Sequence, residues 1–136
     1  MEYLINTEED TRAIARKVAS TLKAGDVIAL IGDLGAGKTF FAREIIRFFC
    51  GNDFIVPSPT FTLLQNYKTK DFEIYHYDLY RLNHPSEIYE LGIEEALHDN
   101  VCLIEWPEII ADLLPKSTIF INFQLKNNIR SLNIKG

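Results

Sequence analysis

The eight residues Gly32-Asp33-Leu34-Gly35-Ala36-Gly37-Lys38-Thr39 follow the pattern G-x-x-x-x-G-K-[ST], whose residue types suit the capture of a triphosphate. Glycines let the backbone curl until successive N–H groups can face phosphate oxygens. Lys38 brings a positive charge for the β- and γ-phosphates, and the Thr39 hydroxyl can ligate Mg²⁺. Asp33, Leu34, Gly35, Ala36 and Gly37 form the cradle itself, and Phe40 follows at the start of a helix. Such a loop needs a buried strand before it and a helix after it. Val27-Ile28-Ala29-Leu30-Ile31 is an unbroken apolar run, as expected of a strand covered on both faces. Phe40 to Phe49 reads as a helix, with Phe41, Ile45, Phe48 and Phe49 at three- and four-residue steps and Gly51 just beyond its end.

Three further segments carry groups able to serve such a loop. Val101-Cys102-Leu103-Ile104-Glu105 is a second buried-type strand ending in a carboxylate, which in nucleotide-binding sheets reaches Mg²⁺ directly or through water. Trp106 follows at once, either as packing or beside a ligand. Pro57-Ser58-Pro59-Thr60-Phe61-Thr62 is a proline-stiffened loop in which Thr60 or Thr62 can sense the γ-phosphate or a metal-bound water, as in switch loops. In His76-Tyr77-Asp78-Leu79-Tyr80-Arg81, strand alternation puts Ile74, His76 and Asp78 on one face, and Tyr75 and Tyr77 on the other. Asp78 can orient an attacking water or act in the outer shell of a metal; a structural pair with Arg81 competes with that role. His76, His84 and His98 share no metal-ligand spacing and read as ordinary residues.

What is missing narrows the chemistry. There is no Asn-Lys-x-Asp for guanine and no separate Asp-x-x-Gly switch, which favours ATP over GTP. No arginine-rich lid encloses a second substrate, so a small-molecule kinase is the weaker alternative. A nucleotide-gated binding module with negligible catalysis is another. The net charge of −5 and pI near 5.2 provide no basic surface for nucleic acid, so any RNA contact falls to partners and no direct DNA binding is expected. No apolar run is long enough for a membrane span and Met1-Glu2-Tyr3-Leu4 carries no leader signal, which sets the expectation of a cytoplasmic protein. Cys50 and Cys102 match no redox or metal spacing and are expected as buried free thiols.

The elements that must position these groups follow from the same sequence. Residues 1–136 make one domain. Glu2 to Asn6 reads as a strand, and Thr7 with Asp10 as a capping box opening a helix that runs to Ala24-Gly25-Asp26. Phe61 to Tyr67 and Glu73 to Asp78 read as a hairpin, as do Ile119 to Leu125 and Ile129 to Ile134 around Asn127-Asn128. Pro85 to Leu91, Ile93 to Leu97 and Glu108 to Leu114 read as short helices. The expected fold class is α/β: a single P-loop NTPase-like domain with a mixed, mostly parallel sheet and antiparallel hairpins, flanked by helices.

Four segments together, Gly-Asp-Leu-Gly-Ala-Gly-Lys-Thr (32–39), Ser-Pro-Thr-Phe-Thr-Leu (58–63), His-Tyr-Asp-Leu-Tyr-Arg-Leu (76–82) and Glu-Trp-Pro-Glu (105–108), resemble the bacterial TsaE (YjeE) family in order and spacing. The resemblance implies a slow ATPase component of tRNA threonylcarbamoyladenosine synthesis that supports a TsaD–TsaB transferase pair without performing the transfer, touching tRNA only through those partners. It implies ATP and Mg²⁺ as cofactors. Lys38 would contact phosphate, Thr39 and Glu105 would bind Mg²⁺, and Asp78 would lie at the active centre with Lys38 and Glu105. Trp106 would lie beside the nucleotide, the Thr60–Thr62 loop would act as a switch, and Thr11 on the N-terminal helix would approach the adenine. Nothing functional is assigned beyond Leu125.

Overall fold

Three carboxylate- or loop-bearing strand ends meet at one edge of a seven-stranded sheet. The structure, a computed structural model, describes residues 1–136. The strands are β1 (Glu2–Ile5), β2 (Val27–Ile31), β3 (Leu64–Lys68), β4 (Glu73–Asp78), β5 (Val101–Glu105), β6 (Ile119–Lys126) and β7 (Ile129–Lys135), in the spatial order β1-β7-β6-β2-β5-β4-β3. Strands β6, β2, β5 and β4 pair in parallel, and β7 and β3 run against them. Strand β1 is antiparallel to β7 and therefore points the same way as the central four. The expected mixed α/β class is what forms. Because β2, β5 and β4 are parallel and adjacent, their C-terminal ends lie side by side, where open α/β sheets hold ligands.

Two helices cover one face. The first, α1 (Glu8–Ala19), opens with the Thr7–Asp10 capping box: Thr7 accepts from the Asp10 amide, and the Asp10 carboxylate accepts from the Thr7 amide at 3.1 Å. It ends at Ala19, short of the expected Ala24-Gly25-Asp26, although Leu22 beyond it still packs on the core. The second, α2 (Lys38–Cys50), starts two residues before the expected Phe40 because Gly37, at φ 109, turns the chain directly into the helix. Its buried stripe is Phe41, Ala42, Ile45 and Ile46, packed with Ala15 and Ala19 of α1 on Ile28, Leu30 and Leu103; Phe48, expected inside, is 41% exposed. The opposite face is covered by α3 (Ile93–Ala96) and by tight 3₁₀ turns at Pro85–Tyr89 and Pro107–Leu113, where helices were expected. Both segments open on proline, and the second is broken at Ile110, whose φ of −120 is not helical. No helix is long and apolar enough to cross a membrane.

Strand β3 begins at Leu64, not at Phe61, because Pro59 to Leu63 closes a turn: the Leu63 amide donates to the Pro59 carbonyl at 2.7 Å, and Leu63 sits at φ 67. The C-terminal hairpin matches expectation, with Asn127 and Asn128 at φ 52 and 63 in its turn. Both thiols are free; Cys102 is buried, and burial pushes its thiol up to about 12, whereas Cys50 is only half-buried.

Two features tie the phosphate-loop region to its scaffold. At Gly32 a Cβ would stand 2.9 Å from the Phe123 carbonyl oxygen and 3.0 Å from the Phe123 Cβ, so only glycine lets the loop leave β2 this close to β6. On α2, the buried Glu44 accepts from Arg12 at 2.7 Å and from Arg47 at 2.9 Å, pinning α1 to α2. Burial pushes the Glu44 carboxyl up, but hydrogen bonds and charge from the two guanidiniums outweigh it and hold the group below its ordinary 4.5.

Gly32→Ala is expected to cost about 1–3 kcal/mol through overpacking, read as a lower urea midpoint with an unchanged m-value. Because the folded Glu44 carboxyl is depressed, its stabilisation is present above the ordinary value and lost as pH falls through the folded one. Glu44→Gln is therefore expected to be less stable at neutral pH and to lose part of the acid sensitivity seen in the parent, measured by thermal melts across a pH series.

Candidate phosphate- and metal-binding site

Between β2 and α2, residues 32–37 curl as the sequence requires. From Leu34 to Phe40, only the Ala36 amide donates within the chain, to the Asp33 carbonyl at 3.1 Å. The amides of Leu34, Gly35, Gly37, Lys38, Thr39 and Phe40 have no acceptor in the protein. A loop whose donors run into a helix N-terminus in this way has the chemistry of an anion cradle.

Lys38 crosses this loop. Its side chain is 4% exposed, its ammonium donates to the Gly32 carbonyl and, at 3.0 Å, to the Asp33 carbonyl, and it lies 3.9 Å from the centroid of the Trp106 ring. Burial lowers the Lys38 pKa, opposed by the nearby carboxylates of Glu105, Asp78, Glu108 and Asp33. Trp106 holds its position at φ 58, a left-handed conformation costly for a side chain of this size, and Tyr80 packs on it with centroids 4.9 Å apart.

Glu105 lies at the end of β5 on the face of Val101 and Leu103, toward α2, and is 2% exposed. Its Oε1 accepts the Thr39 hydroxyl proton at 2.7 Å, and its Oε2 lies 2.7 Å from His76 Nε2. Asp78 pairs with Glu105 in the β4–β5 register. Its Oδ1 accepts from the Tyr80 amide at 3.1 Å and its Oδ2 from the Thr60 hydroxyl at 3.2 Å; Ser58 Oγ lies 2.7 Å from Thr60 Oγ1. No Asp78–Arg81 pair forms, and the Arg81 guanidinium instead stands 4.8 Å from the Phe61 ring centroid.

Leu34, Gly35, Ala36, Gly37, Lys38, Thr39, Phe40, Thr60, Asp78, Glu105 and Trp106, all named from the sequence, line one groove of about 340 Å³. Asp33 reaches it through its carbonyl bond to Lys38, and lines a neighbouring cleft with Asn122 on the β6 side of the loop. Thr11 is in a separate cleft of about 260 Å³ with Thr7, Phe123 and Arg130, which shares Ala36, Gly37 and Phe40 with the groove. Thr62 is not brought in: the Pro59–Leu63 turn leaves it exposed, accepting from Gln65 at 3.1 Å, so of the two threonines only Thr60 reaches the groove.

Two residues of the site were missed from the sequence. His76, read as ordinary, is fully buried against Glu105. Its position on the Asp78 face was a usable signal; its partner was not, since that depends on the β4–β5 register. Arg43, one helical turn beyond Thr39, lines the groove without any ion-pair partner, and its buried Nε has no hydrogen bond. Its i+4 spacing from Thr39 was the signal available.

The donors fit a small hard cation. One hydroxyl and one buried carboxylate supply oxygen ligands only, and no group of three or more His, Cys, Asp or Glu forms a self-sufficient metal cage. Oxygen donors of this kind are what a hard cation such as Mg²⁺ takes. A hydroxyl has one proton and two lone pairs, so the Thr39 bond to Glu105 leaves acceptor capacity for a metal.

The model of the family described as "Threonylcarbamoyl adenosine biosynthesis protein TsaE" matches residues 5–132. The tRNA threonylcarbamoyladenosine biosynthesis protein TsaE of Rickettsia conorii is 56% identical over 133 residues, covering 97% of this chain and 76% of that protein. Its Bacillus subtilis counterpart is 43% identical over 114 residues, covering 83% of this chain and 70% of the relative. The crystal structure of Bacillus subtilis YdiB superposes with a TM-score of 0.75 at 29% identity, covering 98% of this chain and 83% of that one. With sequence, family match and fold in agreement along nearly its whole length, the chain belongs to the TsaE family of tRNA threonylcarbamoyladenosine biosynthesis.

Proposed function

We propose that this chain is the Mg²⁺-dependent ATP-binding and ATP-hydrolysing member of its pathway, acting in the cytoplasm with a TsaD–TsaB-like transferase and reaching tRNA only through it. The observation that carries this reading is the run of acceptor-free amides from Leu34 to Phe40 beside Lys38 and the Thr39–Glu105 pair.

In this reading the amides of Gly35, Gly37, Lys38 and Thr39 hold phosphate oxygens. Lys38 exchanges the Gly32 and Asp33 carbonyls for phosphate, a stronger charge-assisted acceptor. Thr39 and Glu105 are the residues that hold Mg²⁺, which when bound supplies Lewis-acid stabilisation of phosphoryl charge. Asp78, fixed by Tyr80 and Thr60, orients the water that attacks, and Thr60 couples the Pro57–Thr60 loop to that event. Thr11 belongs to the adjoining cleft, where the base and sugar sit. Leu34 and Gly35 on the rim are exposed, so water is poorly excluded and turnover by the isolated chain is slow. The chain's net charge of −5 suits a subunit that leaves RNA contact to its partners.

A second reading, nucleotide binding that gates partner docking with negligible hydrolysis, draws on one observation: both Asp78 oxygens already accept protein donors. The two separate on Asp78→Asn. Hydrolysis stimulated by the transferase is expected to fall by about 10²–10⁴-fold if Asp78 serves the attacking water. Partner-stimulated turnover equal to the parent's would favour gating.

Lys38→Ala is expected to abolish measurable Mg-ATP binding in calorimetry while leaving the melting temperature close to the parent's. Trp106, the one tryptophan, is expected to change its emission on Mg-ATP addition as the ammonium leaves its ring. Unchanged emission under conditions where calorimetry registers binding would contradict the placement of Lys38.

A further inference from the structure

His76 is the only fully buried polar side chain near the groove that the functional reading leaves unused. It lies in β4 on the face toward α2, with 0% of its surface exposed. Its partner in the β4–β5 register is Leu103, while that of Asp78 is Glu105, so His76 meets Glu105 diagonally across the two strands. An ionised carboxylate can only accept, so the 2.7 Å contact calls for a proton on His76 Nε2. The other ring nitrogen, Nδ1, is buried and has no hydrogen-bond partner. A buried polar atom without a partner is a cost that phenylalanine or leucine would avoid at this position. The imidazole is therefore poorly explained as packing, and the one polar contact it makes is with Glu105.

That contact completes a clamp. Thr39 of α2 holds Glu105 Oε1 and His76 of β4 holds Oε2, each at 2.7 Å, so the carboxylate is fixed from the helix and from the sheet. Asp78 on the same strand is held separately, by Tyr80 and Thr60. Ligating carboxylates that are hydrogen-bonded from behind keep their orientation, and loss of such a partner weakens metal binding.

We propose that His76 is a positioning residue that locks the Glu105 carboxylate in the orientation required for the nucleotide-bound divalent cation. The assignment rests on the reading of Thr39 and Glu105 as the residues that hold that cation. His76 touches neither metal nor nucleotide and acts through Glu105.

The test measures how strongly metal and nucleotide binding are coupled, not turnover. A slowly hydrolysed ATP analogue is titrated calorimetrically into the full chain in EDTA and in saturating Mn²⁺, and the ratio of the two affinities is taken. For H76F the ratio is expected to fall about 10–100-fold, with the EDTA affinity unchanged. For H76Q, whose amide N–H can reach the Nε2 position, most of the ratio returns. For H76N, whose amide reaches only the Nδ1 position, it does not. Should H76F fail to fold, the contrast between H76Q and H76N decides. A parental ratio in folded H76F, or equal losses in H76Q and H76N, overturns the assignment while leaving the nucleotide reading intact. A ratio of one in the parent protein overturns the metal reading and this assignment with it.

Discussion

A carboxylate removed from water costs several kcal/mol unless its oxygens are hydrogen-bonded, and the groove at the C-terminal ends of β2, β5 and β4 is organised around one such group. Glu105 is almost fully buried, and its two oxygens are met by donors from opposite layers, Thr39 on the helix and His76 on the sheet. Both donors depend on the parallel register that places β5 between β2 and β4. If β5 slipped by one residue, Glu105 would turn to the other face of the sheet, away from Thr39 and His76. Fold and site are in this sense a single constraint.

The cations of the groove obey complementary logic. Lys38 is buried among carboxylates and held by two backbone carbonyls and an indole face, each a weaker partner than a phosphate oxygen. Arg43 lines the same groove with no carboxylate against it. Two cations with incomplete partners and six amides without acceptors leave open donors in one groove, beside the carboxylates of Asp78 and Glu105. The strained Trp106 belongs to the same arrangement, since its left-handed backbone turns the indole under the Lys38 ammonium immediately after Glu105.

Much of this was legible in the residues. The apolar run of β2, the glycine-rich turn and the periodic helix after it are local signals, and they place Lys38 and Thr39 without knowledge of the rest. Alternation put Asp78 and His76 on one face, and a carboxylate ending an apolar run marked Glu105. What could not be read was which partners the strands would choose. His76 looked ordinary because its meaning lies in β5, a neighbour in space and not in sequence. Thr60 and Thr62 were equivalent on paper; the Pro59–Leu63 turn, closed by a non-glycine residue at positive φ, separates them. The short 3₁₀ turns were mistaken for helices because a run of five to seven residues carries too little periodicity to distinguish them.

The central claim is that the backbone amides between Leu34 and Phe40 hold phosphate oxygens. Amide proton–nitrogen correlation spectra recorded with and without magnesium and a slowly hydrolysed ATP analogue test it residue by residue. The expected result is that the Gly35, Gly37, Lys38 and Thr39 resonances move strongly and exchange more slowly with solvent, while those of the β6–β7 turn at Asn127 and Asn128 stay in place. Unmoved loop amides at saturating nucleotide, with the changes gathered elsewhere on the surface, would contradict the account.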